Sequence, residues 1–215
     1  MSGNRQRTVL VTGGTVRLGR TIADGLRARG WKVVTSSHRA DAGADVIADL
    51  SEPLGAARLY AAACAAAGGS LDAIVNNAAL FAGDAATLAA VNLEAPKKLT
   101  MMLAGKEDAK GAVVNVVDAK ALAEVAPESA YLSTKAELTA YTRKSACLFA
   151  GTLRVNAVAP GPVLAPTDVH VPAGEMLLDR RPTATDVADA VAYLLDAEAV
   201  TGVVLPVDSG QHLLN

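Results

Sequence analysis

Short β-branched runs alternate along this chain with longer stretches rich in Ala and Leu. The runs "TVLVT" (8–12), "KVVTSS" (32–37), "DVIAD" (45–49), "DAIVNN" (72–77), "AVVNVV" (112–117), "RVNAVA" (154–159) and "VVLPV" (203–207) read as strands. Helices are expected near 17–29, 52–67, 85–104, 129–149 and 185–197, the last announced by Thr185 as its capping residue. Strands that are apolar on both faces and separated by helices argue for an α/β fold: one doubly wound parallel sheet of about seven strands, with helices on both faces. Right-handed crossovers and a crevice at the carboxyl ends of the strands follow from that architecture.

Composition narrows the picture. At 215 residues the chain has the length of one domain, expected to run from 1 to 215. Hydrophobic residues make up 51% and aromatics only 3%, so the core must be built from Ala, Val and Leu. The formal charge is −2, spread along the chain, and no basic stripe of the kind nucleic acids need is present. Cys64 and Cys147 are too few for a disulfide framework and too isolated for a metal site. The start, "MSGNRQRT", has no apolar segment of a secretory signal, and no apolar run reaches membrane-spanning length. A cytoplasmic protein without membrane or nucleic-acid partners is the expectation.

Two stretches carry chemistry. The first strand runs into "TGGTVRLGR", where Gly13, Gly14 and Gly19 surround the start of a helix. Glycines allow a tight turn and close approach of an anion, and the helix N-terminus supplies free N–H groups and a positive dipole end. No Gly-Lys-Ser/Thr follows, so this is not an ATP loop. The second stretch, "VVDAKALAEVAPESAYLSTK", ends in Tyr131 and Lys135, four residues apart and so on one helical face. A phenol titrates near 10 in water, and a nearby ammonium is expected to lower that by roughly 1–3 units. Asp118 lies thirteen positions before the tyrosine. Its charge would act in the opposite direction.

Taken together and in this order, the glycine turn, "NNA" (76–78), Tyr131-x-x-x-Lys135 and "VAPGP" (158–162) resemble the signatures of the short-chain dehydrogenases/reductases, and the resemblance spans essentially the whole chain. Arg17, in place of the usual middle glycine, is similar to the pteridine reductases of that superfamily, and Phe81 stands where they and the related dihydromonapterin reductases have an aromatic. The resemblance implies a single Rossmann domain and a nicotinamide cofactor. Gly13, Thr15, Arg17, Leu18 and Gly19 would hold its phosphates, Asp49 and Leu50 its adenine, and Asn77, Ala78, Tyr131, Lys135, Pro160 and Gly161 the nicotinamide side. At the end of the second strand stands "SSHRA" rather than an acid. Ser37, His38 and Arg39 suit a 2′-phosphate, which points to NADP(H) over NAD(H). The family resemblance also implies a homotetramer.

Most of the family has serine at position 118, where a hydroxyl donates to a substrate carbonyl. An ionised aspartate can only accept. It suits a substrate that presents ring N–H groups, or, when protonated, one that takes a proton on a ring nitrogen. Pterins meet both conditions, and pteridine reductases resemble this chain in an Asp, Tyr, Lys triplet at this offset. The resemblance therefore implies Asp118, Tyr131, Lys135 and Asn92 as the catalytic set, with Arg17, Phe81, Asp118 and Tyr131 meeting a pterin. Phe81 is either a stacking ring for the substrate or a core residue, and Arg17 either a ligand or a solvated first-turn cation. Two departures bear on the substrate: only 15 positions separate Asn77 from Asn92, and a short Pro- and Gly-containing segment, "PVLAPTDVHVPAGEMLLDRRPT", replaces a longer helical lid. Ala79 stands where pteridine reductases place a serine, and His212 is either a surface residue or a contributor to a neighbouring subunit's site. A carbonyl or 3-oxoacyl reductase, or an NADP(H)-binding regulator without turnover, are the alternative readings.

Overall fold

The computed structural model describes residues 5–106, 110–122, 129–163 and 175–214. Seven parallel strands form one sheet: β1 (Thr8–Val11), β2 (Lys32–Ser37), β3 (Val46–Ile47), β4 (Ala73–Asn76), β5 (Gly111–Val116), β6 (Leu153–Pro160) and β7 (Val204–Val207), in the order β3-β2-β1-β4-β5-β6-β7. The order reverses between β1 and β4, where the register pairs Val9 with Ala73 and Val11 with Val75. This switch point fixes where the crevice opens.

Strand alternation divides the core into two layers. Val9, Val11, Ala73, Val75, Val114 and Val116 face one side, against Ile22 and Leu26 of α1 (Arg17–Ala28) and Val187, Val191 and Leu194 of α6 (Ala184–Asp196). Leu10, Val34, Ile74 and Val113 face the other, against Leu59 of α2 (Gly55–Ala67), Leu99 and Leu103 of α4 (Ala95–Ala104), and Ala146 of α5 (Ala130–Leu148). Each fully buried Leu or Ile contributes on the order of 1.5–3 kcal/mol. Small aliphatics let the helices sit close to the sheet, as the composition implies.

The expected helix at 85–104 is interrupted. It consists of α3 (Ala85–Ala89), a π-helical turn at Ala90–Glu94 and α4, whose first turn contains Pro96. Proline cannot donate to the preceding turn, and the wider π turn accommodates it while directing Asn92 inward. The expected cap of α6, Thr185, lies inside the helix. Thr183 is the cap: its hydroxyl accepts the Asp186 N–H, and the Asp186 carboxylate accepts the Thr183 N–H. The reciprocal pair satisfies two end donors that a threonine at 185 could not reach. The third strand is shorter than the expected 45–49. The Asp45 carboxylate accepts the backbone N–H and hydroxyl of Thr35 on β2, so the acid closes the edge instead of extending it.

Candidate active site

A cleft of about 890 Å³ opens at the carboxyl ends of the strands. Its walls contain almost every residue expected from the sequence: Gly13, Thr15, Arg17, Leu18 and Gly19 from the first turn, Ser37, His38 and Arg39 after β2, and Asp49 and Leu50 after β3. Asn77, Ala78 and Phe81 follow β4, Asp118 follows β5, Tyr131 and Lys135 come from α5, and Pro160 and Gly161 end β6.

The first turn is built as a cradle for an anion. Gly13 adopts φ +63°, in the left-handed region that glycine favours. A Cβ on Gly19 would collide with the Gly13 carbonyl oxygen, so only glycine lets helix and turn close on each other. The N-terminus of α1 has no side-chain cap and no acid in its first turn, leaving its N–H groups and dipole directed into the cleft. Arg20 donates from Nε to the Thr15 carbonyl at 2.8 Å and steadies the turn. These features fit a dinucleotide pyrophosphate. Gly19→Ala should raise the dissociation constant for NADPH at least tenfold and cost about 1–3 kcal/mol of stability, read by fluorescence titration and thermal melting.

Thr12 is a residue that sequence reasoning missed. Its hydroxyl accepts the N–H groups of Asn77 and Ala78, both at 2.9 Å, and Asn77 Nδ2 returns a bond to the Thr12 carbonyl at 2.9 Å. The two loops flanking the switch point are thereby tied to each other. The only sequence signal was the Thr-Gly pair itself, since its partner lies 65 residues away.

On the other side stands the triplet. Tyr131 Oη donates to Asp118 Oδ2 at 3.1 Å, and the Lys120 N–H donates to Asp118 Oδ1 at 2.9 Å. Asp118 thus starts the tight turn Ala119–Leu122, and the half-buried residue lines the cleft. Lys135 is buried, 3% exposed, and donates from Nζ to the Val116 carbonyl at 2.8 Å. Its Nζ lies 5.7 Å from the centre of the Tyr131 ring.

The electrostatics correct one expectation. The Tyr131 phenol is pushed well above its usual value, first by burial and then by the charge and hydrogen bond of Asp118. The lysine was expected to lower it, but burial acts on both groups. The Lys135 ammonium is itself pushed down to about 8 by desolvation, offset only partly by Asp118. Tyr131 is therefore a protonated donor at neutral pH.

Asn92 lies beneath this surface. Its amide accepts the Leu80 N–H at 2.8 Å, donates to the Leu80 carbonyl at 2.8 Å, and reaches the Thr134 hydroxyl at 3.2 Å. The side chain thus ties the loop carrying Phe81 to the helical turn before Lys135, a positioning role. Phe81 is 81% exposed, which excludes the core alternative. Its ring centre lies 4.8 Å from that of Tyr131, tilted by 48°. His212 does not line this cleft. It is held by the buried Asp208, whose Oδ2 lies 2.7 Å from His212 Nδ1 and accepts the His212 N–H. Most of the expected lid, residues 164–174, lies outside the described residues. Leu177 and Leu178, which follow it, donate their N–H groups to the Ser209 carbonyl.

Comparison with known proteins agrees with this geometry. The family model for short chain dehydrogenases matches residues 7–176. A Streptomyces violaceoruber protein assigned as ketoacyl reductase 2 of the granaticin polyketide synthase is 33% identical, over 95% of this chain and 96% of its own. Pteridine reductase 1 of Leishmania tarentolae is 28% identical, over 95% and 96%, across 276 aligned positions against the 215 residues here, so it carries segments that this chain lacks. Among solved structures, the FolM alternative dihydrofolate reductase 1 of Brucella canis, complexed with NADP, aligns with a TM-score of 0.84 at 30% identity, covering 96% of this chain and 94% of that one.

Proposed function

The chain belongs to the short-chain dehydrogenase family, whose members are oxidoreductases, and we propose that within it this protein is an NADPH-dependent reductase of a pterin. One observation carries the reading: the Tyr131 hydroxyl is already spent on an acceptor, Asp118, at the point where a ketone reductase needs a second donor. A carbonyl oxygen placed there would bring its lone pairs against a carboxylate. A pterin ring instead presents N–H groups, which the two acceptor oxygens of Asp118 can receive.

NADPH supplies the hydride when bound. Gly13, Thr15 and the α1 N-terminus would hold its pyrophosphate, Ser37, His38 and Arg39 its 2′-phosphate, and Lys135, with Asn77, Ala78, Pro160 and Gly161, its nicotinamide half. The remaining work falls to the protein. Phe81, projecting beside Tyr131, offers a flat face to a planar heterocycle, an interaction worth about 0.5–1.5 kcal/mol beyond burial. Arg17 lines the same cleft and would meet anionic or carbonyl groups of a bound ligand. Asp118 orients the bicycle by accepting its N–H. Once that bond forms, Tyr131 is released from Asp118 and delivers its proton to the ring nitrogen next to the reduced carbon. The Lys135 ammonium steadies the charge left on the phenol oxygen. The Brucella canis and Leishmania tarentolae relatives support a pterin-type substrate by their names.

The test is NADPH oxidation followed with dihydrobiopterin, dihydromonapterin and dihydrofolate. Turnover of at least one is expected, and none on any of the three would overturn the proposal. A second reading, a carbonyl or 3-oxoacyl reductase, is favoured by the Streptomyces relative and would show ketone turnover without pterin turnover. We further propose a cytoplasmic homotetramer, a state that sedimentation checks directly.

A further inference from the structure

We propose that Asp41 is a specificity-determining residue of the cofactor site, an internal competitor that holds Arg39 until a 2′-phosphate replaces it. The inference rests on the NADPH reading above and concerns a carboxylate to which neither the sequence nor the comparisons give a role.

The Arg39 guanidinium is engaged along one edge. Its Nε donates to Asp41 Oδ1 at 3.1 Å and its Nη2 to Asp41 Oδ2 at 2.9 Å, and both residues stand on the wall of the cleft. The pairing is built into the backbone. The Arg39 N–H donates to Ser37 Oγ at 3.0 Å, and residues 40–42 form a single tight turn that ends at Gly43 in the left-handed conformation, φ 64°. The chain therefore folds back so that residue 41 faces residue 39. The neighbouring carboxylates are used differently: Asp45 accepts from Thr35 and Asp49 from Ser51. His38 also lines this end of the cleft. Of these three acids only Asp41 occupies a guanidinium.

A planar guanidinium fork accepts a carboxylate or a phosphate in the same bidentate manner. The phosphate dianion carries more charge and a further oxygen, so it displaces the carboxylate. The 2′-hydroxyl of NADH cannot. Displacement leaves Asp41 unpaired beside a dianion. Asp41 thus reduces the advantage of NADPH over NADH, in contrast to the usual acid at the end of the second strand, which binds the ribose itself.

Binding of two fragments, 2′,5′-ADP and 5′-ADP, to the full chain by titration calorimetry tests this without reference to pterin turnover. Wild type should prefer 2′,5′-ADP. Asp41→Asn should tighten 2′,5′-ADP roughly fivefold, the scale of an exposed ion pair, and leave 5′-ADP unchanged. In an Arg39→Ala background the same substitution should gain less. Unchanged or weaker 2′,5′-ADP binding by Asp41→Asn, or an equal gain for both fragments, overturns the role of Asp41. Loss of the wild-type preference itself would overturn the NADPH reading as well, which separates the two failures.

Discussion

Tyr131→Phe should lower turnover of a dihydropterin by roughly 10²–10⁴-fold, the usual contribution of a positioned general acid, while leaving NADPH affinity within a factor of about two. The ring stays, so its 4.8 Å contact with Phe81 is kept and the cleft keeps its shape. What is removed is the hydroxyl, with its transferable proton and its hydrogen bond to Asp118. The size of the loss follows from the environment of the phenol: burial and the adjoining Asp118 hold it protonated, so at neutral pH it is a neutral phenol with one proton to give and not a resting phenolate. Steady-state kinetics with a fluorescence titration of NADPH separates this from a binding defect.

Lys135→Met should also abolish most turnover, by about 10²-fold or more, yet make the protein more stable at pH 7. The ammonium is buried, and its pKa falls from 10.5 to about 8 through desolvation. A lysine with a depressed folded-state value binds fewer protons folded than unfolded between those limits. Its cost to stability is therefore fully present below pH 8 and is relieved as pH rises from about 8 toward 10.5. Each unit corresponds to about 1.4 kcal/mol. Subtracting about 2 kcal/mol for the lost charge-assisted bond to the Val116 carbonyl leaves a net gain of about 1–2 kcal/mol. The melting temperature of Lys135→Met should rise by about 2–8 °C at pH 7, and the difference should shrink at pH 10. In wild type, turnover should fall as pH rises through about 8, as Lys135 loses its charge. A variant less stable than wild type at pH 7 would contradict the burial argument.

Local patterns in the sequence led to much of the architecture. Strands such as Gly111–Val116 and Lys32–Ser37 centre on β-branched pairs, and the parallel, doubly wound character of the sheet followed from the strand–helix alternation, whereas its order and register came only from the structure. Helical spacing put Tyr131 and Lys135 on one face, but the triplet with Asp118 was legible only through the family resemblance, from the ordered glycine turn, "NNA" and "VAPGP". What escaped were interactions between distant segments. The Thr12 strap to Asn77 and Ala78, the Asp208 hold on His212 and the Asn92 staple to Leu80 and Thr134 depend on tertiary proximity. The π turn at Ala90–Glu94 hides within an unbroken helical period, its only mark being Pro96. The sign of the Tyr131 shift failed for a related reason: spacing shows that a cation is near, but not that both groups are desolvated. Arg39 was read as a free phosphate ligand because its partner, two residues on, could equally have pointed away.

The identity of residue 118 is the hinge of the whole account. Asp118→Ser exchanges an acceptor for a donor and removes the charge beside Tyr131, and the measurement is the ratio of kcat/KM for a dihydropterin to that for a simple ketone, in wild type and variant side by side. Wild type should favour the pterin, and the serine variant should shift that ratio toward the ketone by about 100-fold, the range of one buried hydrogen bond to a charged group. An unchanged ratio, or a wild type that already prefers the ketone, would contradict the claim.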